Sequence, residues 1–393
     1  MTAQSPAKVK VTEIKQVCIV CKDIKKTMEA YWNILGIGPW AVFELGSLQI
    51  PDLKYHGKPG WGRYIGAVTQ VGPLEIELFE TIEGDSVYQD WIDEFGEGLH
   101  HIKFLVEDLD IDRVSREIEK LGFPPIMSGH FGPGQKNQFA YFDMRKPLKA
   151  IWETSNRTGG KPTGATMFPE NPKAVSPAKV KVTGIKQIGV CVKDVVQTAE
   201  NYWNILGIGP WEIREWGSHV LFDRYYHGKP GWGRERLAHA YLGDVELELV
   251  QYIEGDSFYK DWIDEQGEGI QHLKFLCDDI DGVSNSLIER GFPSLQCGHF
   301  GDPRKRPEGS TILISRNCTV SGSQCKSPNH CRLNRVSASL QTKVKELRPT
   351  GKYQASSGEF SSPNVLTKAM VVNIININRI PRYSRYSGDR LSF

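Results

Sequence analysis

Alternating apolar and polar positions open the chain. Val9–Cys21 alternates and is rich in β-branched residues, which predicts a strand. Lys22 and Asp23 lead into Ile24–Leu35, where Ile24, Met28, Tyr31, Ile34 and Leu35 recur at helical spacing before Gly36 and Gly38 stop the helix. Three strand-like runs follow: Trp40–Leu45, Arg63–Val71 and Leu74–Thr81. The same order then begins again. His100–Val106 reads as a strand, Ile111–Leu121 as a helix ended by Gly122, and Pro125–Gly129, Phe139–Asp143 and Ala150–Thr154 as three short strands. The pattern predicts an α+β fold of two βαβββ modules. Each such sheet has one face to bury, and two modules side by side make a curved, half-open barrel around a cleft.

The whole unit is then repeated. SPAKVKVT at Ser5–Thr12 recurs at Ser176–Thr183, an offset of 171 residues that also carries YWNILGIGPW from Tyr31 to Tyr202 and YHGKPGWGR from Tyr55 to Tyr226. The second copy drops two residues after the first strand of its second module, so GHFG moves from Gly129 to Gly298. Identities this long imply a recent duplication, so positions that differ between the copies are the informative ones. The expected organisation is a complete first domain at 1–155, a Pro/Gly-rich linker at 156–177, a truncated second domain at 178–303 without its last strands, and a divergent tail at 304–393. The tail is rich in Ser, Asn, Arg and Lys and reads as disordered and as frame-shifted or intron-derived. Its basic character could suit nucleic acid, and Cys318, Cys325, His330 and Cys331 could be taken for a zinc cluster, but their spacing fits no zinc motif.

Composition removes several classes of function. The 48 basic and 47 acidic side chains of the 393 residues predict no general pull toward nucleic acid or a membrane surface. The N-terminus lacks the apolar stretch of a secretory signal, no apolar run is long enough to span a bilayer, and eight cysteines do not form a disulfide framework, so a cytoplasmic setting is the expectation. Cys18 and Cys21 make a CxxC on a strand, where odd spacing sends them to opposite faces; core packing is the simpler reading.

Four polar residues at equivalent points of the two modules would be costly as plain core. Gln16 and His101 lie early on the first strand of each module, and Glu77 and Glu153 lie on the last, among Ile76, Leu78, Ile151 and Trp152. A carboxylate among apolar neighbours on a central strand needs a partner or a metal. Two carboxylates, an imidazole and an amide oxygen suit a divalent cation such as Zn, Ni, Co, Mn or Mg, and the two negative charges balance it.

KQVCIVCKDIKKTMEAYWNILGIGP, GLHHIKFLVEDLD and AIWET together resemble the vicinal oxygen chelate superfamily, which includes glyoxalase I, methylmalonyl-CoA epimerase, extradiol dioxygenases and bleomycin-resistance proteins. The resemblance covers the first copy and the second as far as Asp302. It implies metal ligands at Gln16, Glu77, His101 and Glu153, the Gln/Glu/His/Glu set of eukaryotic glyoxalase I. His100 and His101 compete for one ligand role; the second copy has Gln271-His272 there, which favours His101. The implied chemistry is proton abstraction next to a carbonyl by an isomerase or lyase, with Glu153 as the base and a small-molecule substrate such as an acyl-CoA or a thiol adduct. An epimerase needs a second acid, and His56 is the nearest candidate. Lys58 and Arg63 could meet an anionic substrate tail, and Trp61 could wall the cleft.

The second copy keeps Gln187, Glu248 and His272 but has no counterpart of Glu153, and is expected to be a degenerate, inactive site. The two tandem domains could pair within the chain. The non-enzymatic alternative is a small-molecule-binding module of the bleomycin-resistance kind. A ring-cleaving dioxygenase, whose iron needs two histidines and a carboxylate, is disfavoured by Gln16.

Overall fold

A computed structural model describes residues 4–171, 173–221 and 223–300, and two later strands by backbone alone. The first copy runs β1 (Val11–Val20), α1 (Ile24–Ala30), β2 (Trp40–Gly46), β3 (Lys54–Tyr55), β4 (Lys58–Pro59), β5 (Gly62–Val71), β6 (Leu74–Gly84), α2 (Val87–Phe95), β7 (Gly98–Val106), α3 (Ile111–Lys120), β8 (Pro125–Phe131), β9 (Asn137–Met144), α4 (Arg145–Leu148), β10 (Ala150–Ser155) and β11 (Thr166–Phe168). It is an α+β fold of paired βαβββ modules. The modules join where β1 pairs antiparallel with β7, in a sheet ordered β11-β2-β5-β6-β1-β7-β10-β9-β8-β3-β4.

Local chemistry sets the element ends. Asp23 caps α1 by accepting from the Lys26 backbone N–H, and the helix passes into a wider π turn, Tyr31–Leu35, before Gly36 closes it at φ 70°. Two helices were not foreseen, the single turn α4 and the longer α2. Ser86 caps α2 by accepting from the Tyr88 and Gln89 backbone N–H groups, and Val87, Tyr88 and Ile92 bury its apolar face. The turn in YHGKPGWGR also sits earlier than the Gly-Lys-Pro-Gly expected. His56 and Gly57 take φ 47° and 75°, the paired positive values of a tight hairpin, while Lys58 and Pro59 belong to β4.

The second copy repeats the order as β12 (Val182–Cys191), α5 (Val195–Leu206), β13 (Glu212–Gly217), β14 (Tyr225–Tyr226), β15 (Lys229–Pro230), β16 (Gly233–Leu242), β17 (Val245–Gly255), α6 (Phe258–Gln266), β18 (Gly269–Cys277), α7 (Ile280–Glu289) and β19 (Ser294–Phe300). Its sheet continues past residue 303, where the sequence reading stops the domain: β20 (Ser310–Ser315) pairs with β19, and β21 (Met370–Ile374) lies between β18 and β20. β21 runs antiparallel to β18, whereas β10 runs parallel to β7. The expected disorder of the tail and its Cys318, Cys325, His330, Cys331 cluster lie outside the described residues.

One apolar core runs through both copies, from Val17, Ile102 and Trp152 to Ile188, Tyr202 and Phe275. The copies meet reciprocally: Ser5 Oγ donates to the Trp203 carbonyl, and its repeat equivalent Ser176 donates to the Trp32 carbonyl. Tyr202 donates to the Leu148 carbonyl at 2.8 Å and packs edge-on to Trp152. The tandem copies thus pair within the chain about a pseudo-two-fold relation, each using the same patch on the other. No helix among the described residues is long and apolar enough to cross a membrane.

Candidate metal centre

Strand alternation aims one face of each central strand into the first copy's cleft. On β1, Gln16 and Cys18 share a face; Gln16 lies beside Glu75 of β6 and Lys103 of β7, and Cys18 beside Glu77 and His101. On β10, Glu153 stands next to Lys103. His101 Nε2 lies 3.6 Å from Glu77 Oε2 and 3.2 Å from Glu153 Oε2, and Lys103 Nζ lies 3.3 Å from Glu153 Oε1. Gln16, Glu77, His101, Lys103 and Glu153 are all buried.

Burial of so many polar atoms is costly unless they are satisfied. Among the described residues, both ends of the Gln16 amide, Glu77 Oε2, His101 Nε2 and Glu153 Oε2 have no hydrogen-bond partner. The His101 contacts to the two carboxylates are close but lack hydrogen-bond geometry. These orphaned atoms are the four ligand groups expected from the sequence.

Neighbouring bonds set the tautomer of His101. His100 Nε2 lies 3.2 Å from the Val87 carbonyl, which can only accept, so His100 carries its proton there. Its Nδ1 is then the acceptor for His101 Nδ1–H at 2.8 Å. That leaves His101 Nε2 as a bare lone pair facing two carboxylate oxygens. Three acceptors around one point call for a cation. His100 is therefore engaged as the group that orients the His101 ring. Burial first, and His101 second, hold its pKa well below the ordinary histidine value, which keeps it neutral for that role.

Charge in the cleft is shared unevenly. Burial works against a charge on His101, but Glu153 and Glu77 outweigh it and raise its pKa, so without a metal a proton is drawn to that point. Burial would raise the Glu153 carboxyl, but Lys103 and then His101 hold it below the usual range. Glu75, on the same face of β6 as Glu77, is pushed up to about 7 by burial and by the Glu77 charge. Cys18 lies close enough to Glu77 and His101 to share an ion with them, while Cys21 sits on the opposite face in the core. Burial, then Glu77 and Glu153, raise the Cys18 thiol pKa well above normal.

A cavity of about 390 Å³ opens on the Glu77 and Glu153 carboxylates. Glu77, Lys103 and Glu153 form part of its wall, with the aromatic rings of Phe79, Tyr88 and Tyr141 around them. The Tyr88 and Tyr141 hydroxyls are hydrogen-bonded to each other at 2.9 Å. Sequence reasoning missed three lining cations. Lys103 was legible as the residue two along from His101 on one strand face. Arg157 and Lys161 come from the segment read as a linker, which folds back so that β11 pairs with β2.

Other expected site residues lie elsewhere. His56, at the tip of the β3–β4 hairpin, is half exposed and reaches Asp90 at 3.5 Å. Lys58 and Trp61 are exposed, and Arg63 is tied to Glu83 at 2.8 Å. None of these four is among the residues lining the cavity. In the second copy Gln187, Glu248 and His272 are buried at the repeat positions, with His272 Nε2 3.4 Å from Glu248 Oε2.

Residues 15–142 and 186–306, more than half of the chain, match the family described as the Glyoxalase/Bleomycin resistance protein/Dioxygenase superfamily. The chain belongs to this superfamily, once in each copy. No protein of curated function matches it. Among solved structures, a variant of 4-hydroxymandelate synthase from Streptomyces coelicolor is 13% identical, over 80% of this chain and 95% of that one, with a TM-score of 0.49. A variant of methylmalonyl-CoA epimerase from Streptomyces coelicolor, in complex with 2-nitronate-propionyl-CoA, is 19% identical over 37% of this chain and 97% of that one, with a TM-score of 0.28. A hypothetical protein from Bacillus halodurans C-125 is 21% identical over 38% and 96%, with a TM-score of 0.29. The family assignment rests on the sequence match.

Proposed function

We propose that the first copy is a metal-dependent isomerase or lyase that removes a proton next to a carbonyl, acting on a small anionic substrate. The observation that carries this reading is the set of buried donors on Gln16, Glu77, His101 and Glu153 that the protein itself leaves unpaired. Two neutral and two anionic donors suit a divalent ion such as Zn, Ni, Co, Mn or Mg. When bound, that ion polarises the carbonyl and stabilises negative charge on its oxygen, an effect worth several kcal/mol of barrier.

The chain's own residues do the rest. Glu153 is the proposed base: its carboxylate is ionised at neutral pH, borders the cavity, and is steadied by Lys103. Phe79, Tyr88, Phe139 and Tyr141 wall the cavity and exclude water from the exchanging proton. Lys103, Arg157 and Lys161 favour a substrate carrying a carboxylate or phosphate. Single-base chemistry, as in a lyase acting on a 2-oxoaldehyde–thiol adduct, needs only Glu153.

Epimerisation of an acyl-CoA needs a proton donor on the opposite face of the carbon. His56 does not line the cavity, but Glu44 on β2 does, outside the metal-facing set. This gives the second reading its own residue.

The test is a screen of the full chain, with each divalent metal, for deuterium incorporation from solvent into thiol adducts and acyl-CoA esters. Exchange abolished by Glu153→Gln supports the proposal. Exchange without inversion points to the lyase, whereas inversion lost in Glu44→Gln points to the epimerase. A folded protein that binds these compounds without metal and never exchanges their protons would sink it and leave a binding module.

A further inference from the structure

The second copy was expected to be a decayed version of the first. Its cleft carries something the first does not. β13 and β16 exchange two apolar residues of the first copy, Phe43 and Val68, for Arg214 and His239. His239 is directly opposite Glu248 in the β16–β17 register, so it faces the cleft from the strand next to the usual ligand strands. Its side chain and those of Glu248 and His272 are each at least nine-tenths buried.

Both imidazoles are held in one tautomer. His272 Nδ1 lies 2.6 Å from Gln271 Oε1, which can only accept, so the proton is on Nδ1. Gln271 thus does for His272 what His100 does for His101. His239 Nδ1–H donates to Glu246, a carboxylate further tied to Lys274 at 3.6 Å. In each ring the other nitrogen, Nε2, is left as a lone pair. His239 Nε2 stands 3.8 Å from Glu248 Oε1, and His272 Nε2 stands 3.4 Å from Glu248 Oε2. Among the described residues, His272 Nε2 has no hydrogen-bond partner. Arg214 reaches His239 Nε2 at 3.4 Å from the rim, so the positive charge this point demands comes from a half-exposed side chain.

The two lone pairs face opposite oxygens of the Glu248 carboxylate, a set of acceptors that a cation would satisfy. Metal–ligand bonds of about 2.0–2.2 Å place neighbouring donor atoms roughly 3.0–3.6 Å apart at octahedral to tetrahedral angles. The two histidine–carboxylate gaps are close to that size, at 3.4 Å for His272 and 3.8 Å for His239. Each imidazole also gives its Nδ1–H to an acceptor that fixes the ring, His239 to Glu246 and His272 to Gln271.

We propose that the second copy is a separate metal centre, with His239, His272 and Glu248 as ligands and Glu246 and Gln271 as their orienting partners. Two imidazoles and one carboxylate select a first-row transition ion such as Zn²⁺, Fe²⁺ or Co²⁺ over Mg²⁺ or Ca²⁺. The centre stands whether or not the first cleft carries out the chemistry proposed for it. Arg214 swings out as the ion enters.

The full chain is stripped with chelator, titrated with Co²⁺ and with Zn²⁺, and its content read by mass spectrometry and by cobalt d–d absorption. About two ions per chain are expected. Glu77→Gln with Glu153→Gln removes one, His239→Val removes the other, and the triple variant binds none. His239→Val places the first copy's own residue at that position, and circular dichroism checks its fold. Should it misfold, the cobalt spectrum of the Glu77→Gln, Glu153→Gln chain decides alone. A spectrum of nitrogen-rich Co²⁺ coordination supports the proposal, and none overturns it. Wild type binding a single ion that His239→Val leaves in place also overturns it.

Discussion

Replacing His100 tests the proposed metal site most sharply, because this residue would stand behind the ligand without touching the ion. Substitution by Leu removes the buried acceptor for His101 Nδ1–H. The ring then keeps its tautomer with an unpaired buried donor, or moves the proton to Nε2, where it meets Glu77 and Glu153 and leaves no lone pair for an ion. The apo protein will take the second course, since both carboxylates draw a proton to Nε2. Binding a metal then requires reversing it and stranding Nδ1–H, a penalty of about 1–3 kcal/mol. That corresponds to a loss in affinity of roughly 5- to 150-fold, in line with the ten- to hundredfold typical of partners behind a ligand. His100→Gln should restore most of it, because Gln271 plays this part for His272. The assay is competition between a coloured chelator and the protein for Co²⁺, in chains that also carry Glu248→Gln so that only the first cleft reports. Unchanged affinity in His100→Leu, or equal weakening by Leu and Gln, would refute the tautomer argument.

Three further outcomes follow from packing and burial. Gly189→Ala should cost about 1–3 kcal/mol in urea unfolding, because a Cβ there would lie 2.0 Å from the His272 ring, while Gly184→Ala, whose nearest neighbour is at 3.8 Å, serves as the tolerated control. Tyr202→Phe should cost about 1 kcal/mol by stranding the buried Leu148 carbonyl between the copies, and an unchanged unfolding midpoint would argue against that contact. Burial pushes the Cys21 thiol up to about 12 and Cys277 to about 11, so at pH 8 their thiolate fractions fall about a thousandfold and a hundredfold below an ordinary thiol. Peptide mapping after brief iodoacetamide treatment of the native chain should find both unlabelled, and rapid labelling of Cys21 would contradict its burial.

Much of the fold was legible because it rests on short-range patterning. The β-branched alternation of β1, the helical spacing of Ile24 to Leu35 and the glycine stops are local signals, and the repeat doubled each one. The helix α2 carried its own signals, Ser86 as cap and Gly96 as stop, yet two and a half turns with three buried residues make a weak stripe. What could not be read was non-local. A Pro/Gly-rich segment after β10 looks like a spacer in sequence, and only the pairing of β11 with β2 explains how Arg157 and Lys161 come to line the cavity. The same holds for β21, whose place beside β18 depends on a strand nearly a hundred residues away in sequence.

The second cleft shows a different reason for a missed reading. His239 is visible as a histidine where the first copy has Val68, but it lies on a different strand from the positions equivalent to Gln16, Glu77, His101 and Glu153. A cleft that had only decayed after duplication would shed buried polar groups, since each unpaired one is costly. This one holds a buried imidazole together with an acceptor for its Nδ1–H, beside Glu248, His272 and the Gln271 acceptor behind His272. Glu246 is common to both copies as Glu75, but only beside His239 does it have a hydrogen-bonded imidazole. Without that neighbour Glu75 is pushed up to about 7, whereas Glu246 is held below the usual carboxylate range as His239 and Lys274 outweigh its burial. The same carboxylate is thus unpaired by an imidazole in the first copy and a positioning group in the second, which is the difference expected of a second cleft built for its own ligands.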